Sequence, residues 1–148
     1  MLKLKLLHPD ILMALGSNGH GNRILIADGN FPVSTCPPSN SKKVFLNFSP
    51  GLLTTTIVLK VINEYITVEK GILMTPPDEN KQSIHAEFQE ILGEGIPLTS
   101  KKRLEFYQEV GSNDTCLVIA TGETRRFANI LLIIGSIKPL GLINEDEI

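Results

Sequence analysis

The sequence predicts an α/β protein: a single domain, residues 1–148, with a largely parallel central sheet flanked by helices. Three observations carry this. First, Arg23-Ile-Leu-Ile-Ala27, Cys116-Leu-Val-Ile-Ala120 and Ile130-Leu-Leu-Ile-Ile134 are short, nearly unbroken apolar runs. They do not alternate, so both faces of each strand must be covered. Second, stretches with apolar residues at helical spacing separate such runs, as in sheets whose strands are joined through helices. Third, 148 residues suit one core, and no linker, internal repeat or low-complexity tract divides them.

The elements follow in order. His8-Pro9-Asp10 opens a helix, because proline at the first helical position lacks an N–H that would have no partner there. Ile11, Leu12 and Leu15 share its inner face, and Gly16 and Gly19 end it. The first strand is Arg23 to Ala27. Phe31-Pro32 through Pro37-Pro38 to Ser41 is loop, since adjacent prolines fit neither a helix interior nor a central strand. Val44 to Phe48 reads as a second strand. Ser49-Pro50-Gly51 then reads as the cap and first turn of a helix running to about Glu64. Ile72 to Met74 is a short third strand, stopped by Pro76-Pro77. Asp78 to Leu92 is a helix, with Ile84, Phe88, Ile91 and Leu92 on one face. Ser100 caps a further helix, Lys101 to Val110, and Gly111 to Asp114 is a turn. The last two apolar runs complete the sheet, and Asn144 to Ile148 reads as a loose end.

Composition narrows the function. Net charge is −2, tryptophan is absent and tyrosine occurs twice. Nucleic acid is therefore not an expected partner: there is no basic footprint and there are few stacking platforms. No apolar run approaches the roughly 20 residues that span a bilayer, so a membrane is not expected either. The start, Met1-Leu-Lys-Leu-Lys, lacks the apolar core of a signal peptide. Cys36 and Cys116, with no CxxC spacing, read as reduced thiols of a cytoplasmic protein. No metal is expected, because no two histidines share ligand spacing and cysteines are few. No phosphate-binding glycine loop or nucleophile elbow is present.

Polar groups gather at two strand ends, where open α/β sheets place ligands. Asp28 follows the first strand. Glu123, Arg125, Arg126 and Asn129 lie between the last two. His20, with glycine on both sides, is the most specific single feature. Each has a plainer reading. His20 can be a surface turn histidine, Asp28 an Asx turn into Gly29, and Arg125-Arg126 a solvated pair. Tyr107 and Phe106 fit a core face, Asn129 a backbone cap, and His8 and His85 structural positions. Arg103 lies near the start of a helix, where the macrodipole does not favour a cation, which hints at a local role; its plainer reading is a solvated basic cluster, Lys101-Lys-Arg103. Roughly seven residues lie between His20 and Asp28. At about 3.3 Å per residue, a straight segment holds them more than about 20 Å apart. They meet over one ligand only if the chain folds back or if the site lies between subunits.

Taken together, these residues resemble one family, the small sugar mutarotases that include ribose pyranase and fucose mutarotase. The matching pieces run from His8 to about Gly135: His8-Pro-Asp-Ile-Leu12, Gly19-His20, Ile26-Ala-Asp28, Phe31-Pro32, Arg103 with Phe106-Tyr107, and Thr121-Gly-Glu123 followed by Phe127-Ala-Asn129-Ile130. Arg103, His8-Pro9 and Phe31-Pro32 lean to the fucose branch. The resemblance implies an enzyme that interconverts the anomers and ring forms of a monosaccharide, L-fucose first and D-ribose as the alternative. It implies no cofactor. It implies His20 as proton donor, with Asp28, Arg103 and the segment Phe127 to Asn129 on the sugar; Asp28 is read as the catalytic partner that orients His20 or holds a sugar hydroxyl, and Tyr107 as a sugar-binding residue that can supply the hydroxyl Phe127 lacks. It also implies a homo-oligomer, a decamer built from rings, whose sites are shared between neighbours. The family usually carries tyrosine where this chain has Phe127. The missing hydroxyl keeps open a third reading, a non-catalytic sugar-binding protein on the same scaffold.

The chemistry fits the residues. Mutarotation opens a hemiacetal: a base takes the anomeric hydroxyl proton while an acid protonates the ring oxygen. An imidazole titrates near 6.5, so both of its forms are populated near neutrality. Positioned acid–base help of this kind is worth roughly 10²–10⁴ in rate.

Overall fold

Alternation between the two faces of the sheet builds two cores from each apolar run. In the computed structural model, which describes residues 2–77 and 83–137, the elements are α1 (Pro9–Ser17), β1 (Arg23–Ala27), β2 (Lys42–Phe45), α2 (Thr55–Asn63), β3 (Val68–Thr75), α3 (Ser83–Leu92), β4 (Leu98–Lys102), α4 (Arg103–Val110), β5 (Thr115–Ala120) and β6 (Ile130–Ile134). Ile24 and Ile26 of β1, Leu117 and Ile119 of β5, and Ile130 and Leu132 of β6 face one layer, which α1, α2 and α3 cover. Leu25, Ala27, Val118, Ala120, Leu131 and Ile133 face the other, under Phe31, Val33, Phe106 and Val110. Fully burying one such side chain stabilises by about 1.5–3 kcal/mol. This is why the runs are apolar throughout.

The sheet order is β2-β5-β1-β6-β3-β4. β1, β2 and β5 pair in parallel, as do β3 and β4. Only β6 runs against its neighbours, β1 and β3. Five strands therefore point the same way. The expected α/β class and the largely parallel sheet are both present. The carboxyl ends of β1, β3, β4 and β5 share one edge with the amino end of β6.

Several boundaries differ from expectation. α1 continues through Gly16 to Ser17, whose hydroxyl donates to the Met13 carbonyl at 2.7 Å. The second strand is Lys42–Phe45 and stops before Phe48, which is 89% exposed. Ser49-Pro50-Gly51 does not start a helix. Gly51 and Leu53 take positive φ, and α2 begins only after Thr54. The third strand is longer than expected, Val68–Thr75. Ser100 lies in a strand absent from the sequence reading, β4, and α4 starts at Arg103 behind an N-cap at Lys102. The expected helix from Asp78 is present as α3 over Ser83–Leu92; positions 78–82, and the tail from 138, lie outside the described residues. Among the described residues no helix is long and apolar enough to cross a membrane.

Candidate functional site

The shared edge of strand ends holds a cavity of about 370 Å³, lined by Asp28, Asn30, Phe31, Met74, Arg103, Tyr107, Arg126, Phe127 and Asn129. Small-molecule sites fall in the range of about 300–1,000 Å³. Each wall follows from the topology. β1 ends at Ala27 and delivers Asp28; β3 delivers Met74; β4 hands over to α4 at Arg103; the segment before β6 delivers Phe127 and Asn129.

Asp28 is 4% exposed, and both of its carboxyl oxygens accept hydrogen bonds. Its Oδ1 accepts from the Asn30 N–H at 3.0 Å, the Asx turn expected for this residue, and its Oδ2 accepts from Asn129 Nδ2 at 2.8 Å. Burial pushes the carboxyl above its ordinary range, and N–H groups of Asn30, Asn129, Ala128 and Phe31 pull it part of the way back. Asn129 is thus more than a cap: it locks the end of β1 to the start of β6.

The loop from Thr121 to Asn129 is pinned from behind. Glu123, 2% exposed, accepts from the Arg125 guanidinium at 2.9 and 3.0 Å and from the Thr55 hydroxyl at 3.3 Å. Arg125 also donates to Glu87 on α3 at 2.7 Å. Burial alone would raise the Glu123 carboxyl; the bonds and charge of Arg125 outweigh it and hold the group below its ordinary value. The expected solvated arginine pair is therefore split. Arg125 is structural, while Arg126 is exposed and lines the cavity, its guanidinium 5.5 Å from the Phe127 ring centroid. Gly122 lets this loop close. A Cβ there would sit 2.2 Å from the Leu52 carbonyl oxygen and 2.5 Å from that of Ser49, which no side chain tolerates.

Phe127 takes φ +59°, a strained angle for a ring-bearing residue. Its carbonyl accepts a hydrogen bond from His85 Nε2 of α3 at 3.2 Å. His85 is half-buried, and burial pushes its imidazole below the ordinary value against the pull of that carbonyl. Arg103 and Tyr107, also in the lining, stand one turn apart on α4. The Tyr107 ring packs edge-on against Phe31 with centroids 5.3 Å apart, and Phe106 is fully buried beneath.

Asp28, Arg103, Tyr107, Phe127 and Asn129 are thus brought together, and His20 is not. The chain before β1 does not fold back. The Gly21 N–H donates to the Ile134 carbonyl at the far end of β6, and His20 Nε2 lies 2.9 Å from Glu69 Oε2 on β3. The histidine is exposed, at the opposite edge of the sheet from the cavity. Glu69 was not singled out in the sequence; a carboxylate 49 positions from its imidazole leaves no spacing signal. Asn30 and Met74 are likewise additions, whereas Arg126, named in the sequence as half of a solvated pair, joins the lining. Asn30 lies two residues past Asp28, the one clue to it in the sequence.

A family model described as the RbsD / FucU transport protein family matches residues 1–137. A fucose mutarotase of Homo sapiens is 31% identical over 137 residues, covering 86% of this chain and 87% of that protein. A D-ribose pyranase of Thermosipho africanus is 29% identical over 143 residues, covering 93% and 99%. The solved structure of Bacillus subtilis RbsD complexed with D-ribose superposes with a TM-score of 0.81 at 26% identity, covering 93% of this chain and all of that one. The chain belongs to the RbsD / FucU family, whose members include sugar mutarotases and pyranases, isomerases that act on carbohydrates.

Proposed function

We propose that this protein, acting as one domain over its whole length, is a mutarotase that interconverts the anomers of L-fucose by ring opening and closure without a cofactor. One observation carries the reading: five residues selected for sugar contact, Asp28, Arg103, Tyr107, Phe127 and Asn129, line a single cavity. The aromatic rings of Phe127 and Tyr107 suit the C–H face of a pyranose. Asp28, Asn129 and Arg103 supply acceptors and donors for its hydroxyls.

The proton-transfer group is His20, supplied by a second copy of the chain. Within one chain it stands at the far edge of the sheet, so a homo-oligomer, in the ring-built decameric form, completes the site. Glu69, 2.9 Å from His20 Nε2, orients the imidazole. In ring opening His20 donates its proton to the ring oxygen while a water molecule takes the proton of the anomeric hydroxyl; on closure the neutral imidazole takes its proton back from that same oxygen and the anomeric oxygen is reprotonated. Asp28 holds the hydroxyl beside the reacting carbon. The two free cysteines fit a reducing, cytoplasmic setting.

Saturation-transfer NMR of the anomeric protons tests this directly. Exchange in L-fucose should quicken with protein; no acceleration over buffer removes the reading. The likeness to the ribose-bound structure favours a second substrate, D-ribose. Side-by-side exchange rates rank the two sugars. Sugar binding by calorimetry with no rate effect would instead mark a binding protein.

A further inference from the structure

We infer that the cavity favours a pyranose carrying an acidic group, a carboxylate or a phosphate, over the neutral sugar of the same configuration. This deepens the mutarotase reading and rests on it for the reacting end of the sugar.

The observation is an imbalance of donors. The chain has four arginines. Arg23 pairs with Glu109 at 2.7 Å, and Arg125 with Glu123 and Glu87 at 2.9 and 2.7 Å. The other two, Arg103 and Arg126, both line the cavity, and among the described residues neither makes an ion pair or a side-chain hydrogen bond. They come from separate elements, one from the start of α4 and one from the loop before β6. Arg126 is held there by its contact with the Phe127 ring.

The one carboxylate lining the cavity, Asp28, makes an ion pair with neither of them. Both oxygens of Asp28 are engaged by Asn30 and Asn129, and the group is 4% exposed. The carboxylate that accompanies His20, Glu69, is bonded to the imidazole. A guanidinium has five donors and no acceptor. Sugar hydroxyls satisfy such a group in part, and each also needs an acceptor of its own. An oxyanion is all acceptor, and the planar fork of arginine matches it with two parallel bonds. L-Fucose carries a methyl group at C6, and L-galacturonate differs from it only by a carboxylate there. The anomeric carbon stays free in both, so ring opening is the same reaction.

The test compares matched pairs: L-fucose with L-galacturonate, D-fucose with D-galacturonate, and D-galactose with D-galactose 6-phosphate. Affinity is read by calorimetry and anomer exchange by NMR, in wild type and in Arg126→Met. The expected result is about tenfold or tighter binding of an acidic member over its neutral partner, the scale of one charge-assisted bond. That preference should shrink as salt rises and fall to near unity in Arg126→Met. The carboxylate and phosphate pairs decide which anion fits. Equal or weaker binding of the acidic members overturns the inference, as does a preference that survives Arg126→Met. Faster exchange of neutral sugars without an acid preference leaves the mutarotase reading standing and removes this one. An Arg126-dependent preference in binding with no exchange of any sugar does the reverse.

Discussion

Asn129 and Asp28 hold each other by two bonds: the Asp28 backbone N–H donates to Asn129 Oδ1 at 2.8 Å, and Asn129 Nδ2 donates to Asp28 Oδ2 at 2.8 Å. Both residues are almost wholly buried. Asn129→Ala leaves a buried N–H and one carboxylate oxygen without those partners, each costing about 1–3 kcal/mol. A fall in stability of about 2–4 kcal/mol in urea titration is expected, with anomer exchange lost even where the fold persists. A variant of unchanged stability would show that the pair does not hold the strand ends together.

His20→Ala should behave differently. The imidazole and Glu69 are 64% and 49% exposed, and an ion pair so open is worth little to stability. The midpoint of thermal unfolding should stay within a degree or two, while exchange falls by about 10²-fold or more. Glu69→Gln should slow exchange by about tenfold and leave sugar affinity intact. Full activity in His20→Ala would remove it from the proton-transfer role.

His85 offers a cleaner separation of shape from stability. Its Nε2 donates to the carbonyl of Phe127, whose backbone is strained. His85→Leu keeps bulk but loses the donor, so the Phe127 ring should shift and KM rise several-fold. His85→Gln places an amide N–H near the same point and should recover most of the loss. Equal KM values across the three proteins would mean that the bond does not shape the cavity.

Acid should loosen the loop at Glu123. The folded pKa is depressed below the ordinary 4.5, so the carboxylate's contribution is complete above that value and is lost as pH falls through the folded pKa. Unfolding free energy should therefore drop below about pH 4.5, and Glu123→Gln should flatten that slope. Asp28 has the opposite sign. Its raised pKa makes the folded state favour the proton, so its share of stability declines as pH climbs from the ordinary 3.8 through the raised value. Arg125→Ala at neutral pH should cost about 2 kcal/mol, less than a fully buried pair because the guanidinium is 38% exposed.

Much of this architecture was legible because burial on both faces writes itself as unbroken apolar runs. β1 and β6 fall where those runs lie. β4 escaped because it is a polar edge strand: Leu98-Thr-Ser-Lys-Lys102 buries nothing fully, and Ser100 resembles a helix cap. Ser49-Pro50-Gly51 carries a helix-start signature, but the chain instead bends at Gly51 and Leu53 to meet Gly122, a contact no local pattern encodes. In the candidate site, residues next to strand ends were recoverable from position alone. Glu69 and His85 were not, since each acts through a partner distant in sequence. The His20–Asp28 separation was readable from counting residues, and the two side chains do lie at opposite edges of the sheet.

That separation has a genetic reading. If each cavity borrows its imidazole from a neighbour, defects at the two ends of β1 belong to different complementation groups within one gene. An allele carrying His20→Ala and another carrying Asp28→Asn, each silent alone, should revive one another when co-expressed. In randomly mixed rings, about a quarter of the cavities would pair an intact Asp28 with an intact neighbouring His20.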